Sequence, residues 1–64
     1  MDINQVLAQE FHLRREQIDQ TVALIDEGAT IPFIARYRKE HTGSLDDQIL
    51  REIFDRLNYL RNLE

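Results

Sequence analysis

Apolar residues near the start of the chain recur at the spacing of one helix face. Their period of three to four positions is that of an amphipathic α-helix. The members are Ile3, Val6, Leu7 and Phe11. Asp2, followed three residues later by Gln5, is typical of a capping box at a helix start. The pattern predicts a first helix over residues 3–11, with a break at His12 and Leu13.

A second stretch with the same period predicts a helix over residues 14–27. Its apolar members are Ile18, Val22, Leu24 and Ile25. Gly28 follows directly, and it ends the helix well because glycine adopts the left-handed conformation at little cost.

A third helix is predicted to begin near the only proline. Thr30 can accept a hydrogen bond as the N-cap, and Pro32 falls in the first turn, where a missing N–H does no harm. The pattern predicts a short helix over residues 31–40, followed by a break at residues 41–43.

The apolar stripe of this third helix consists of Phe33, Ile34 and Tyr37. We expect Phe33 and Ile34 to be ordinary core residues. Tyr37 is less firmly tied to the core, because its hydroxyl can lie at the rim of a buried patch.

The fourth predicted helix is the longest and covers residues 45–63. Ser44, followed by Asp47, forms a second capping-box signature. The apolar members are Ile49, Leu50, Ile53, Phe54, Leu57, Leu60 and Leu63. No helix-stop signal follows Leu63, so we expect the chain to be a piece of a longer protein.

These four helices predict an all-α fold, a small four-helix, helix-turn-helix-like bundle that forms one domain over residues 1–64. A chain of 64 residues has room for one small domain, and none for two lobes that enclose a small-molecule substrate. The longest apolar run is four residues, Val22 to Ile25, which is too short to span a membrane. Cysteine is absent, which excludes disulfides and is typical of a cytoplasmic protein.

The formal net charge of -4 is unevenly distributed. Residues 1–35 hold two basic and six acidic residues, whereas residues 36–64 hold six of each. The one dense basic cluster consists of Arg36, Arg38 and Lys39. In a helix-turn-helix module such residues contact phosphates or guanine edges, so these three are the candidate nucleic-acid-binding residues. Possible flanking contacts are Arg14, Arg15 and Arg51.

An internally paired or solvated surface is the alternative for the same three residues. Carboxylates lie nearby in sequence, and the negative overall charge argues against a dedicated nucleic-acid binder. Arg36 lies one turn before the predicted break. We therefore expect its guanidinium to pair at least partly with Asp46, Asp47 or Glu27 and to fix the turn between the third and fourth helices.

Residues for catalysis or metal binding do not occur at the spacing that such sites require. His12 and His41 are 29 positions apart, without the i, i+4 spacing that places two imidazoles on one metal. Ser44 lacks the surroundings of a nucleophile elbow, and no phosphate-binding glycine motif is present. The sequence predicts neither an enzyme nor a metal or cofactor site.

Residues 26–47 carry a long and specific resemblance. The segment Ile-Pro-Phe-Ile-Ala-Arg-Tyr-Arg-Lys-Glu (31–40) resembles the signature of the N-terminal domain of Tex, the bacterial transcription accessory protein. The flanks Ala23-Leu-Ile-Asp-Glu-Gly28 and Tyr59-Leu-Arg61 agree with it, so the resemblance covers most of the chain. His41 is a departure, because family members usually carry a small or aliphatic residue there, and any role for His41 is therefore open.

The resemblance implies a non-enzymatic role in transcription within a larger protein. Tex proteins resemble the core of a eukaryotic elongation factor that is also a histone chaperone. They carry a helical scaffold, a ribonuclease-H-like domain of the YqgF type, a helix-hairpin-helix module and a C-terminal OB-fold that binds RNA. The implied partners are nucleic acid, RNA or DNA, mainly through domains outside this chain, and the remaining domains of the full-length protein. RNA polymerase is a further candidate partner.

Two hypotheses for this chain follow from the residues and the resemblance together. In the first, the module contacts nucleic acid through Arg36, Arg38 and Lys39. In the second, it is a structural or protein-docking scaffold in which those residues pair internally or against the rest of the protein. The surroundings of the guanidinium groups distinguish the two.

Overall fold

The fold is all-α, as predicted, in a computed structural model that describes residues 1–63. Over those residues there are five helices: α1 (Ile3–Phe11), α2 (Arg15–Asp26), α3 (Ile31–Tyr37), α4 (Lys39–Thr42) and α5 (Asp47–Leu63). The predicted third helix is therefore two helices. Glu64, the last residue of the predicted domain, lies outside the described residues.

Local signals account for the start of α1 and for the end of α2. The Gln5 backbone N–H donates to Asp2 Oδ1 at 3.3 Å, but the Gln5 side-chain oxygen accepts from Arg15 Nη1 instead of completing the capping box. Gly28 has a φ of +95°, and its N–H donates to the carbonyl of Ile25. This left-handed closure after α2 confirms the role predicted for Gly28.

The prediction of one continuous helix over residues 31–40 is wrong, because the backbone bends at Arg38. Its φ of −127° and ψ of 33° lie outside the helical region, and α4 restarts at Lys39. The bend lets α4 pack against α2 while α3 packs against α5. Tertiary packing therefore overrides the helix propensity of Arg38, and part of the predicted break at 41–43 is helical.

The start of α5 also differs from the prediction. The Ile49 N–H donates to Asp46 Oδ1 at 2.9 Å, so Asp46 is the capping residue and the Ser44–Asp47 capping box is wrong. Ser44 instead has a left-handed φ of +68°, directly after Gly43 with a φ of +75°. The two left-handed residues turn the chain between α4 and α5.

The core lies where α5 crosses the α1–α2 pair. Its main buried cluster comprises Leu7, Ala8, Ile18, Val22, Ile53, Leu57 and Leu60. Ile34 of α3 and Leu50 of α5 are also fully buried. Two threonines are buried with their hydroxyls satisfied, since Thr21 Oγ1 donates to the Gln17 carbonyl at 2.7 Å and Thr42 Oγ1 accepts from the Leu45 N–H.

Candidate nucleic-acid interface

Helix α3 presents two aromatic rings at the surface and one aliphatic side chain to the core. The Phe33 N–H donates to Thr30 Oγ1 at 3.3 Å, which confirms Thr30 as the N-cap. Ile34 is fully buried as predicted, whereas Phe33 is 38% exposed and Tyr37 is 58% exposed. The prediction that Phe33 is a core residue is wrong, because residue 33 points about 100° around the helix from the buried residue 34.

Arg36 projects from α3 without a carboxylate partner. Its guanidinium forms no ion pair or hydrogen bond with any residue in the range 1–63. The predicted pairing with Asp46, Asp47 or Glu27 is therefore wrong. Asp46 Oδ1 instead caps α5, and Arg36 lines an open groove with Pro32, Ala35, Lys39 and Asp47.

Lys39 lies beside Arg36 across the bend. It is exposed at the start of α4 and lines the same groove, close to Asp47. Its ammonium also has no ion-pair partner within the described part of the chain. The structure thus brings Arg36 and Lys39 together although they belong to different helices.

Arg38 lies on a neighbouring part of the surface, towards the α2–α3 turn. Its Nη1 donates to the Tyr37 carbonyl at 3.1 Å, and its guanidinium carbon lies 5.0 Å from the centroid of the Phe33 ring. It lines a groove with Leu24, Glu27 and Phe33. Glu27 does not form an ion pair with it, and neither does any other carboxylate among residues 1–63.

The basic residues on the rest of the molecule are largely paired with carboxylates that join helices. Arg56 binds Glu10 through two hydrogen bonds of 2.8 and 2.9 Å and joins α5 to α1. Arg61 binds Asp26 in the same bidentate manner, at 2.9 and 3.0 Å, and joins α5 to α2. These hydrogen bonds lower the pKa of Glu10 and of Asp26, because a neighbouring guanidinium favours the ionised carboxyl.

The three predicted flanking residues also include both paired and unpaired arginines. Arg15 donates to Asp19 at 2.8 Å and to Asp2 at 2.9 Å, and its guanidinium lowers the pKa of both carboxyls. Arg14 lies 3.5 Å from Glu16. Arg51, in contrast, has no ion-pair partner within residues 1–63. Unpaired positive charge is thus concentrated at Arg36, Arg38 and Lys39, the α3–α4 cationic surface, with Arg51 as the further unpaired cation.

Two features of this region were not predicted from the sequence. The Phe33 and Tyr37 rings form a pair with centroids 5.3 Å apart and planes tilted by 44°, which their i, i+4 spacing could have indicated. Gln17 Nε2 donates to the Thr42 carbonyl at 3.0 Å and ties α4 to α2. No local pattern signals the Gln17 contact, because the two residues are 25 positions apart.

Other kinds of site have little support in this region. The described residues include no group of three or more His, Cys, Asp and Glu side chains placed to hold a metal. His41 Nε2 lies 3.8 Å from Glu40 at the exposed end of α4. None of the helices within residues 1–63 has the length and apolar character needed to cross a bilayer.

Fold and surface together define a small all-helical module that exposes two aromatic rings and three unpaired cations within residues 33–39. The chain belongs to the family of the Tex-like protein N-terminal domain, whose profile matches residues 1–64, and this confirms the resemblance of the signature segment.

Similar proteins include the transcriptional accessory protein Tex of Neisseria gonorrhoeae, 55% identical over 64 residues, which are 100% of this chain and 8% of that protein. Protein tex of Bordetella pertussis is 59% identical over 55 residues, which are 86% of this chain and 7% of that protein. The human S1 RNA-binding domain-containing protein 1 is 38% identical over 60 residues, 94% of this chain and 6% of that protein. The chain therefore spans less than a tenth of the length of these relatives. No solved structure matches it.

Proposed function

We propose that this chain is the N-terminal module of a transcription accessory factor of the Tex type, and that it contacts nucleic-acid phosphates through Arg36, Arg38 and Lys39. The family supports the first part, since one relative is named a transcriptional accessory protein. Another relative is named for an RNA-binding domain. The role is non-enzymatic, and in a bacterium it belongs to the cytoplasm, where transcription takes place.

The observation that carries this proposal is the uneven pairing of basic side chains. Arg15, Arg56 and Arg61 are bound to carboxylates on neighbouring elements. The three cations of the α3–α4 cationic surface have no such partner within residues 1–63. An unpaired guanidinium or ammonium can bind a phosphate without first giving up a carboxylate, and phosphate contacts supply most of non-specific nucleic-acid affinity.

The geometry favours contacts to the phosphate backbone over insertion into a groove. Helix α3 has seven residues and is therefore only about 10 Å long. Arg36 and Lys39 lie on opposite sides of the bend at Arg38, so no single straight helix presents all three cations to base edges. Phosphate contacts position a protein on nucleic acid without reading sequence.

The internally paired form of the scaffold hypothesis loses its support, because no carboxylate within residues 1–63 pairs with Arg36 or Arg38. Its remaining form is that the same surface docks on a protein, either another domain of the full-length chain or RNA polymerase. No contact within residues 1–63 favours that form over phosphate binding.

The test is binding of the 64-residue chain to labelled RNA and DNA duplexes at about 50 mM salt and at higher salt. Arg36→Ala and Lys39→Ala should each weaken binding and reduce the log–log salt slope by about one phosphate contact. Arg14→Ala is the matched control, since it removes an equal charge from an exposed arginine that already pairs with Glu16.

The outcome that contradicts the proposal is equally definite. If neither a duplex nor a single strand binds at about 50 mM salt, where exposed charges are least screened, the surface does not take phosphates. Equal losses for Arg36→Ala and Arg14→Ala would mean that only the net charge matters and that the α3–α4 cationic surface is not the contact.

A further inference from the structure

Tyr37 is a large aromatic side chain for which the fold has no internal use. Its side chain is 58% exposed, and its ring contacts Phe33 at a centroid distance of 5.3 Å. The core beneath α3 is filled by Ile34, which is fully buried. Since Tyr37 adds little to the core, the open part of its ring is free to contact a ligand.

Phe33 holds two planar groups in place beside it. The Arg38 guanidinium lies 5.0 Å from the ring centroid, a distance at which cation–π attraction operates, and Tyr37 packs on the same ring. The Phe33 backbone is fixed by the Thr30 cap. Phe33 is therefore a positioning residue, whereas Tyr37 is exposed and Arg38 is half-buried.

Planar groups flanked by unpaired cations are the combination that binds nucleic-acid strands without sequence preference. Aromatic rings and guanidinium planes stack on bases, and neighbouring cations bind the phosphates between them. Tyr37 is next in sequence to Arg36 and Arg38, and neither has a carboxylate partner among residues 1–63. One short segment thus supplies both kinds of contact.

We infer that Tyr37 stacks on an unpaired base, so that the α3–α4 cationic surface takes single-stranded nucleic acid. This inference rests on the proposed function and narrows its ligand. In a duplex each base face is covered by its neighbours, so Tyr37 can reach a base only in a single strand. Phosphate contacts alone would favour the duplex instead, because its charge density and counterion release are greater.

Charge also favours a nucleic acid over a peptide as the occupant of this surface. A surface that docks an apolar peptide is expected to present a continuous apolar patch. Here the Arg38 guanidinium lies 5.0 Å from the centroid of the exposed Phe33 ring, and Tyr37 stands between Arg36 and Arg38 in the sequence. These surroundings suit a polyanion with aromatic faces.

Tyrosine fluorescence gives a direct test, because the chain has two tyrosines and no tryptophan. Tyr59→Phe removes the other tyrosine and leaves Tyr37 as the single reporter. The variant keeps the ring that lies 4.8 Å from the Arg56 guanidinium carbon on α5. Titration of this variant with a short single-stranded oligonucleotide should quench the emission with saturation. The duplex of the same sequence should bind more weakly at the same salt concentration and quench less.

Three matched ligands and variants separate stacking from charge. Tyr37→Phe keeps the ring and should bind within about two-fold of the parent chain, whereas Tyr37→Leu should bind about five-fold more weakly or worse. Leucine is a good helix former, so the variant should keep its helical circular dichroism. A strand of the same length with abasic sites keeps its phosphates, and Tyr37→Leu should not affect its binding.

The experiment distinguishes failure of the stacking inference alone from failure of the proposed function. If single strands bind through Arg36 and Lys39 but Tyr37→Leu binds as tightly as the parent chain, the stacking inference is overturned and the proposed function stands. The stacking inference is likewise overturned if Tyr37→Leu weakens binding to the abasic strand as much as to the intact one. If neither single strand nor duplex binds at about 50 mM salt, the inference falls together with the proposed function.

Discussion

Gln17 and Gly43 fit together where α2 meets α4. Gln17 Oε1 accepts from the Arg14 N–H, and its Nε2 donates to the Thr42 carbonyl, both at 3.0 Å. Gly43 has a φ of +75°, and a Cβ at this position would overlap Gln17 Nε2. Glycine suits the left-handed backbone here, and a side chain at this position would displace the Gln17 amide from its hydrogen bond to Thr42.

Gly28 and Gly43 allow the effect of backbone conformation to be separated from the effect of available space. Gly28 has a φ of +95° but open space where a methyl group would lie, so Gly28→Ala should lose about 1–2 kcal/mol of unfolding free energy from backbone strain alone. Gly43→Ala should lose more, by about 1 kcal/mol or more, because Gln17 must give up hydrogen bonds to make room. Urea unfolding followed by circular dichroism measures both.

A Gln17→Ala background is the control for this prediction. Without the Gln17 amide, Gly43→Ala should cost about as much as Gly28→Ala. Equal costs for the two glycine variants in the parent chain would show that the Gln17 contact does not restrict position 43.

The surroundings of a single residue can be predicted from the sequence only where the residues that it contacts are close to it in the chain. Periodicity correctly predicts Ile34 as core, but it does not reveal which flanks of a helix the rest of the fold covers, so it misses the exposure of Phe33. Proximity in sequence pairs Arg36 with carboxylates, yet Asp46 uses its Oδ1 to cap α5. The cluster of Arg36, Arg38 and Lys39 can be named from sequence, but its division across a bend cannot.

Helix α5 begins with a cap that is displaced from the most obvious sequence signature. Ser44 has a left-handed backbone, whereas Asp46 Oδ1 accepts from the Ile49 N–H. An N-cap residue needs an extended backbone and a side chain that can reach back to the first turn. The structure therefore assigns the cap of α5 to Asp46.

Alanine substitution distinguishes the two candidate caps. Asp46→Ala should lower the unfolding free energy by about 1 kcal/mol, the usual cost of a lost N-cap. Ser44→Ala should change it by less than about 0.5 kcal/mol, since its side chain caps nothing. Thermal or urea unfolding of both variants checks this, and a larger loss for Ser44→Ala would contradict the assignment.

The bounds of a helix can be predicted from the sequence where contacts within the helix set them, and cannot where contacts with distant residues do. The bounds of α1 are predicted without error, because the Asp2 cap and the apolar period are both local. The prediction of a single helix over residues 31–40 is wrong. Nothing in the residue types of Arg38, Lys39 and Glu40 signals the break that the structure has there. Their bend follows from packing of α4 on α2, tied by Gln17 to Thr42, and such a contact has no signature within the segment itself.

Across the whole molecule, bidentate and bridging ion pairs connect the three longest helices. Arg56–Glu10 and Arg61–Asp26 join α5 to α1 and α2, and Arg15 bridges Asp2 and Asp19. All four carboxyls have a pKa below the usual range, chiefly because of the hydrogen bonds from these arginines. Each carboxyl therefore binds a proton less readily in the folded chain than in the unfolded chain.

Acid should destabilise the fold through these groups. Their contribution is fully present above the unfolded-state pKa of about 4 and is lost as the pH falls through the lower folded-state values. The melting temperature should therefore be nearly constant from about pH 8 to pH 5 and fall below about pH 4. Circular dichroism melts across this range measure the effect.

Glu10→Gln serves as the control for the acid prediction, because it keeps the side-chain shape but cannot ionise. Its melting temperature should lie below that of the parent chain at pH 7, and the two should converge at low pH. Salt at about 1 M should reduce the difference at pH 7, since the pairs are exposed and screened. Parallel curves for the two chains throughout would contradict the assignment to Glu10 and Arg56.

The position of α5 in the core has a consequence for synthesis. Ile53, Leu57 and Leu60 cover the apolar faces of α1 and α2, which are complete by Asp26. A chain made from its N-terminus at about 5–20 residues per second needs on the order of a few seconds between those points. Until Leu60 has been added, the apolar faces of α1 and α2 lack their cover, so we expect a chain that terminates before Leu60 to aggregate.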